Sequence, residues 1–209
     1  MLRTSAPLIG ALGVNSHMAN LSVTLDRQAL LLIGDAEEDR ILGSGFAFLR
    51  RDWVVTAKHV ILKHGEPRRG LRICLLDGAN IEAKVLYIHP VLDLVVLRAP
   101  QFLVETPLYP GHEKMLGAVG LICVGYAPSL AEKNGKINIH ANYVIEYQRE
   151  LRSRNCGDEE TILFEAPYAE GGHSGGPIIG AGGCVTGSQS MDSQQMRNIM
   201  FARPVSTHY

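Results

Sequence analysis

The run Gly171-Gly172-His173-Ser174-Gly175-Gly176-Pro177 holds one serine in a turn built almost wholly of glycine. Glycine accepts backbone angles and close approaches that a side chain forbids, so the run reads as a tight turn presenting a hydroxyl. Far upstream, Val54-Val55-Thr56-Ala57-Lys58-His59-Val60 is a buried-strand pattern that ends in small residues and presents a histidine. Between them, His89-Pro90-Val91-Leu92-Asp93-Leu94-Val95-Val96-Leu97 sets a carboxylate at the mouth of an apolar strand. Singly, each has a plain structural explanation: a surface histidine, a capping aspartate, a loop serine. Together, in the order His, Asp, Ser, they answer one chemical need. A serine hydroxyl is a poor nucleophile until a base takes its proton. A neutral imidazole suits that task near neutral pH. The imidazolium then formed needs a carboxylate to orient and stabilise it, and a developing oxyanion needs fixed N–H donors. The backbone N–H groups of Gly172 and Ser174 are candidates for those donors, and a side chain at 172 would restrict the turn that aims them.

Outward from these three stretches the chain reads as all-β. Helical periodicity is scarce, and short apolar runs recur between turn residues. The first set of strands is expected at Gln28–Ile33, Ile41–Leu49, Trp53–Thr56, Leu71–Leu76, Asn80–Ile88 and Leu92–Arg98. Lys58–Leu62 is expected to make one helical turn. Asp77-Gly78 is a hairpin signal, and Gly34–Arg40 reads as an acidic, exposed turn. Residues 99–117, with Pro100, Pro107, Pro110 and Gly111, read as a crossing segment. The second set is expected at Val119–Gly125, Lys136–Gln148, Thr161–Glu165, Pro177–Ile179, Gly183–Ser190 and Ile199–Ala202. Two successive sets of six strands predict two packed six-stranded β-barrels. The expected division is an N-terminal arm at 1–19, a barrel at 20–112 carrying His59 and Asp93, and a barrel at 113–209 carrying Ser174.

Composition narrows the function classes. The 209 residues include 20 Lys+Arg and 21 Asp+Glu, a formal net charge of −1. That balance argues against a nucleic-acid protein that binds through a strong global positive field. No run approaches the ~18 apolar residues of a membrane span. Residues 1–25 hold Arg3 and an apolar stretch from Ala6 to Val14, but Pro7, Gly10 and Gly13 interrupt it, so a cytoplasmic location is favoured over export or organelle import. Cys74, Cys123, Cys156 and Cys184 form no CxxC and no zinc spacing with histidine, and are expected as reduced core thiols. His112-Glu113 lacks the second histidine of HExxH. No metal or other cofactor is expected. Arg68-Arg69 and Arg149, Arg152 and Arg154 read as solvated loops.

The motifs resemble those of the trypsin-like, chymotrypsin-fold serine peptidases, in the style of HtrA-type and other disulfide-poor members. Thr56-Ala57-Lys58-His59 is similar to the family's TAxH, Asp93-Leu94-Val95-Val96-Leu97 to its DLAVL, and Gly172–Pro177 to its GxSGGP. Gly43-Ser44-Gly45-Phe46 resembles the strand before the histidine, and Met200-Phe201-Ala202-Arg203-Pro204 the closing strand. The likeness spans roughly residues 40–205. It implies His59 as general base and acid, Asp93 as its orienting partner and Ser174 as nucleophile. Gly172 and Ser174 would form the oxyanion hole. Tyr168, Ala169, Glu170 and Gly171 would line one wall of the substrate pocket. Gly187–Asp192 would line another, and its edge at Ser190, Met191 and Asp192 would accept a peptide as an added strand, with Ser190 beside Asp93.

Departures from the pattern matter. His173 stands where animal trypsins carry the aspartate that pairs with a newly cut N-terminus, so ordering by that ion pair is not expected. An activating partner protein is therefore a candidate. No PDZ-like segment is expected after Pro204. Two rivals remain. Gly172-His173-Ser174-Gly175-Gly176 also fits the GxSxG of α/β-hydrolase esterases, but that fold needs its Asp and His after the serine, and Asp192 and His208 are the sole candidates there. The other is a catalytically silent chymotrypsin-fold peptide-binding module. The expected activity is serine endopeptidase, acting on protein or peptide through an acyl-enzyme.

Overall fold

The computed structural model describes residues 29–75, 77–110, 122–128, 139–143, 147–150, 161–165, 171–180, 185–190 and 199–204. In the first half, β1 (Leu30–Asp35), β2 (Arg40–Ala47) and β3 (Trp53–Thr56) run antiparallel in succession. One helical turn, α1 (Lys58–Ile61), follows, then a two-residue hairpin of β4 (Leu62–Lys63) and β5 (Glu66–Pro67). Strands β6 (Leu71–Cys74), β7 (Asn80–Glu82), β8 (Lys84–Ile88) and β9 (Val95–Arg98) complete this half. The second half holds β10 (Ile122–Tyr126), β11 (Ile139–Tyr143), β12 (Tyr147–Glu150), β13 (Thr161–Glu165), β14 (Pro177–Ile179), β15 (Val185–Ser190) and β16 (Ile199–Pro204).

Each half forms one sheet, and in each the two edge strands are neighbours in sequence. The first has the order β7-β6-β1-β2-β3-β9-β8. Its two edge strands, β7 and β8, are parts of one ribbon interrupted at Ala83, so residues 80–88 pair with β6 on one side and β9 on the other. The second has the order β11-β10-β14-β15-β16-β13-β12. Its edges, β11 and β12, are again neighbours in sequence, separated by residues 144–146. Counting each ribbon once gives six staves per ring, the two-barrel all-β architecture that the sequence predicts.

Period-2 alternation explains why the strands are apolar on both faces. Leu31, Ile33 and Val54 point into the first barrel with Ile61, Leu71, Ile73, Val95 and Leu97. Their neighbours Leu30 and Val55 join Phe46, Leu108, Ile122, Val124, Ile179 and Val185 in a second cluster that draws on both barrels. The crossing segment stitches the halves. Leu108 N–H donates to Ala47 O at 2.8 Å, and Val185 N–H donates to Tyr109 O at 2.9 Å. The part of that segment beyond Pro110 lies outside the described residues.

Two expectations need correction. The acidic turn is not exposed throughout: Asp35 is 2% accessible and belongs to β1. Its Oδ2 accepts from Arg68 Nη1 at 2.8 Å, and the Arg68 side chain is only 11% exposed, so Arg68 is a half-buried counterion rather than a solvated loop residue. A carboxylate at a strand end cannot stay charged in the interior without such a partner, and the partner comes from 33 residues away. Strand β9 starts at Val95 rather than Leu92, because His89–Leu94 is closed into a turn by a His89 N–H to Leu94 O bond of 3.0 Å. Cys74 and Cys123 are buried, whereas Cys156 and Cys184 lie outside the described residues. Among the described residues no helix is long and apolar enough to cross a membrane, and no cluster of His, Cys, Asp and Glu is placed to hold a metal ion.

Candidate active site

His59 sits in α1, directly after β3. Ala57 keeps an extended conformation at the helix N-cap, and Val60 and Ile61 are buried, which turns the opposite side of this single helical turn outward. The His59 side chain is 42% exposed. Asp93 comes from the turn before β9. There the imidazole Nδ1 of His89 accepts from the N–H groups of Val91 at 3.2 Å and Leu92 at 2.8 Å. Thr56 and Val95 are paired across the β3–β9 ladder, so the chain leaving β3 and the chain entering β9 start from the same rung. That rung brings His59 and Asp93 together.

Both carboxylate oxygens of Asp93 engage His59. Oδ2 lies 2.6 Å from His59 Nδ1, and Oδ1 accepts from the His59 backbone N–H at 2.9 Å. The two contacts fix the ring in place and its tautomer with it. With Nδ1–H directed at Asp93, Nε2 is the free lone pair, the form a general base requires.

Ser174 lies in the turn 171–176 that precedes β14, with His173 and Ser174 both buried. Gly175 has φ +84°, and a Cβ there would collide with Ser44 O and Thr56 Oγ1. Gly172 has no positive φ. Its requirement for glycine is contact, since a Cβ would meet Tyr126 O and come within 2.6 Å of Tyr126 Cδ1. The turn is tied to β15 by Gly175 N–H to Gln189 O at 2.8 Å and Gln189 N–H to Gly176 O at 2.9 Å. It is tied to the first barrel by Ser44 N–H to Ser174 O at 2.8 Å. Neither the Gly172 N–H nor the Ser174 N–H has an acceptor among the described residues.

The serine turn lies against the histidine-bearing element. A Cβ on Gly43 would fall 2.9 Å from Ser174 O and 3.0 Å from Val60 Cγ2, so only a bare backbone separates the turn from the residue after His59. The hydrogen bonds of His59 run to Asp93, and none joins it to Ser174 among the described residues. Gly171 opens the turn and is exposed, and Ser190 ends β15 opposite Phe201. Tyr168, Ala169, Glu170, Met191 and Asp192 lie outside the described residues. Sequence reading missed three residues that build this region: Ser44, His89 and Gln189. All three sit inside stretches already noted, Gly43–Phe46, His89–Leu97 and Gly187–Asp192, but their hydrogen-bond partners are set by the fold.

Two antiparallel barrels with a glycine-held serine at their junction are the architecture of a serine hydrolase of the trypsin-like class. Residues 43–187 match the family model of the trypsin-like peptidase domain, and the chain belongs to that family. It is 23% identical over 172 residues to the serine protease Do-like HtrA of Lactobacillus helveticus. That match takes in 78% of this chain and 40% of the relative, so the chain spans well under half of that protein's length. Among solved structures it is similar to the active form of the Rv3671c protease of M. tuberculosis, with a TM-score of 0.68 and 20% identity over 98% of this chain and 89% of the other. The HtrA-type protease AlgW, solved with a decapeptide, gives a TM-score of 0.64 and 18% identity over 90% of this chain and 64% of that one. These structural likenesses are likenesses of fold.

Proposed function

We propose that the chain is a serine endopeptidase that hydrolyses peptide bonds through Ser174, His59 and Asp93. The observation that carries this is the two-point grip of Asp93 on His59, at Nδ1 and at the backbone N–H, beside the serine turn. In this reading His59 Nε2 takes the Ser174 proton as Oγ attacks the scissile carbonyl carbon. The carbonyl oxygen becomes an oxyanion held by the N–H groups of Gly172 and Ser174. As the C–N bond breaks, imidazolium returns the proton to the leaving amine, leaving an acyl-enzyme on Ser174. Water, deprotonated by the same imidazole, then releases the acid. Tyr168–Gly171 and Ser190–Asp192 would line the substrate cleft, and a peptide would add as a strand along Ser190–Asp192. A functional division at 20–112 and 113–209 goes with this assignment, each half supplying one side of the cleft.

The test is digestion of a denatured-protein peptide library by the wild type and by Ser174→Ala. Cleavage by the wild type and none by the folded variant supports the assignment. Equal cleavage by both contradicts it. A second reading draws on the lack of a hydrogen bond between Ser174 and His59: a resting form completed by substrate or by an activating partner protein. Apo catalytic bonds are commonly long and tighten only when substrate binds. Cleavage that requires an added protein fraction, yet still depends on Ser174, distinguishes that form from a constitutive one.

A further inference from the structure

We propose that Ser44 is a positioning residue for the oxyanion turn, its buried hydroxyl reaching from the first barrel to set the Gly172–His173 peptide of the second. The inference rests on the serine-peptidase reading above. Ser44 lies in β2 and is fully buried. Its Oγ–H donates to Gly172 O at 2.7 Å and its Oγ accepts from Tyr126 N–H at 2.8 Å. Its own N–H donates to Ser174 O at 2.8 Å, and its carbonyl accepts from Thr56 Oγ1 at 2.7 Å. One residue is thus bonded to the serine turn twice, to the end of β10, and to the end of β3 that leads into His59.

The consequence follows from peptide planarity. Holding Gly172 O fixes the plane of the 172–173 peptide, and holding Ser174 O fixes that of the 174–175 peptide. The peptide between them carries the Ser174 N–H and is held at both ends from the opposite barrel, and the Gly172 N–H sits on the residue whose carbonyl Ser44 holds; neither N–H has an acceptor among the described residues. A residue placed only for packing would need no hydroxyl here. A buried hydroxyl needs partners, and both of its partners are backbone groups of the second barrel. The flanking glycines fit the same purpose: a Cβ at Gly43 would press on Ser174 O, and one at Gly45 would lie 2.9 Å from Val54 Cγ1. Ser44 touches no reacting atom and acts through the turn.

The test compares Ser44→Ala, Ser44→Cys and Ser44→Thr with the wild type. Peptide hydrolysis gives kcat and KM. A fluorophosphonate, whose phosphoryl oxygen occupies the oxyanion position in the adduct, gives a second-order inactivation rate. Peptide affinity is measured on Ser174→Ala with and without Ser44→Ala. The expected result is a fall of about 10²-fold in kcat and in inactivation rate for Ala and Cys. KM and peptide affinity should stay within about twofold. Ser44→Thr, which keeps the hydroxyl, should recover most of the rate. Wild-type kcat and inactivation rate in a folded Ser44→Ala would overturn the inference. So would a loss matched by an equal loss of peptide affinity, the mark of a general structural role. If Ser44→Ala does not fold, Ser44→Cys, which keeps the volume, decides the matter. A wild type that neither cleaves peptide nor reacts with the probe defeats the peptidase reading itself; an active wild type with indifferent Ser44 variants defeats only this inference.

Discussion

The His59–Asp93 pair does at residue scale what neither side chain does alone. A carboxylate on the backbone N–H and on Nδ1 fixes both the place and the tautomer of the ring. Asp93→Asn presents an amide where a carboxylate stood and favours the wrong tautomer. Its kcat should fall by about 10³–10⁴-fold with little change in melting temperature, as steady-state kinetics and a thermal melt would show. The counterion Arg68 acts on stability instead. Arg68→Ala strands the Asp35 carboxylate, 3% exposed, in the interior. It should cost about 3–5 kcal/mol in urea unfolding, whereas Lys63→Ala, which removes an exposed partner of Glu38, should cost far less. His59, Asp93 and Ser174 stand out in the sequence because the chemistry proposed for them calls for those residue types in recognisable surroundings. Arg68 and Ser44 were not, because a run of local sequence carries no sign of a partner 33 or 128 residues away.

At element scale, two turns carry consequences. The turn after β1 gathers Glu38 with Lys63, Arg40 and Arg68. Hydrogen bonds from Lys63 and then Arg40 hold the Glu38 carboxyl down at about 2, against an ordinary 4.5. Burial pushes Asp35 up, but bonds from Arg68 and from the N–H groups of Glu37 and Glu38 outweigh it and leave its carboxyl below the ordinary value. Both are depressed carboxylates, so between their folded and unfolded values the unfolded chain binds more protons. The stability Glu38 gives is present above about pH 4.5 and drains away as pH falls toward 2, and that of Asp35 is lost as pH falls below 3.8. The melting temperature should drop across that window, and the difference between wild type and Glu38→Gln should shrink to nothing at its acid end. The turn before β9 depends on the Nδ1 of His89 as an acceptor. His89→Ala frees two N–H groups beside Asp93 and should lower kcat roughly 10-fold, while His89→Asn, which offers an amide oxygen, should restore much of it. The strands were legible from alternation and turn residues, and Trp53–Thr56, Thr161–Glu165 and Pro177–Ile179 fall where the sequence put them. The β4–β5 hairpin was not, although His64-Gly65, both at positive φ, is its turn.

At the scale of the whole molecule, the fold is two barrels pressed together, and the proposed site draws on residues of both. The cluster around Phe46, Val55, Val124 and Ile179 belongs to both barrels, and the bonds of Ser44 cross the same boundary. Two sets of six strands were countable in the sequence; that residues 80–88 pair with β6 on one side and β9 on the other was not, since pairing is a matter of register. The central claim is that this junction assembles a working nucleophile. Its most direct test is intact-mass analysis after exposure to a fluorophosphonate, followed by mapping of the modified peptide. The account predicts one adduct per chain, on Ser174, and none on a folded Ser174→Ala variant or after the wild type is unfolded. A folded wild type that gains no adduct, or gains one elsewhere, would contradict it.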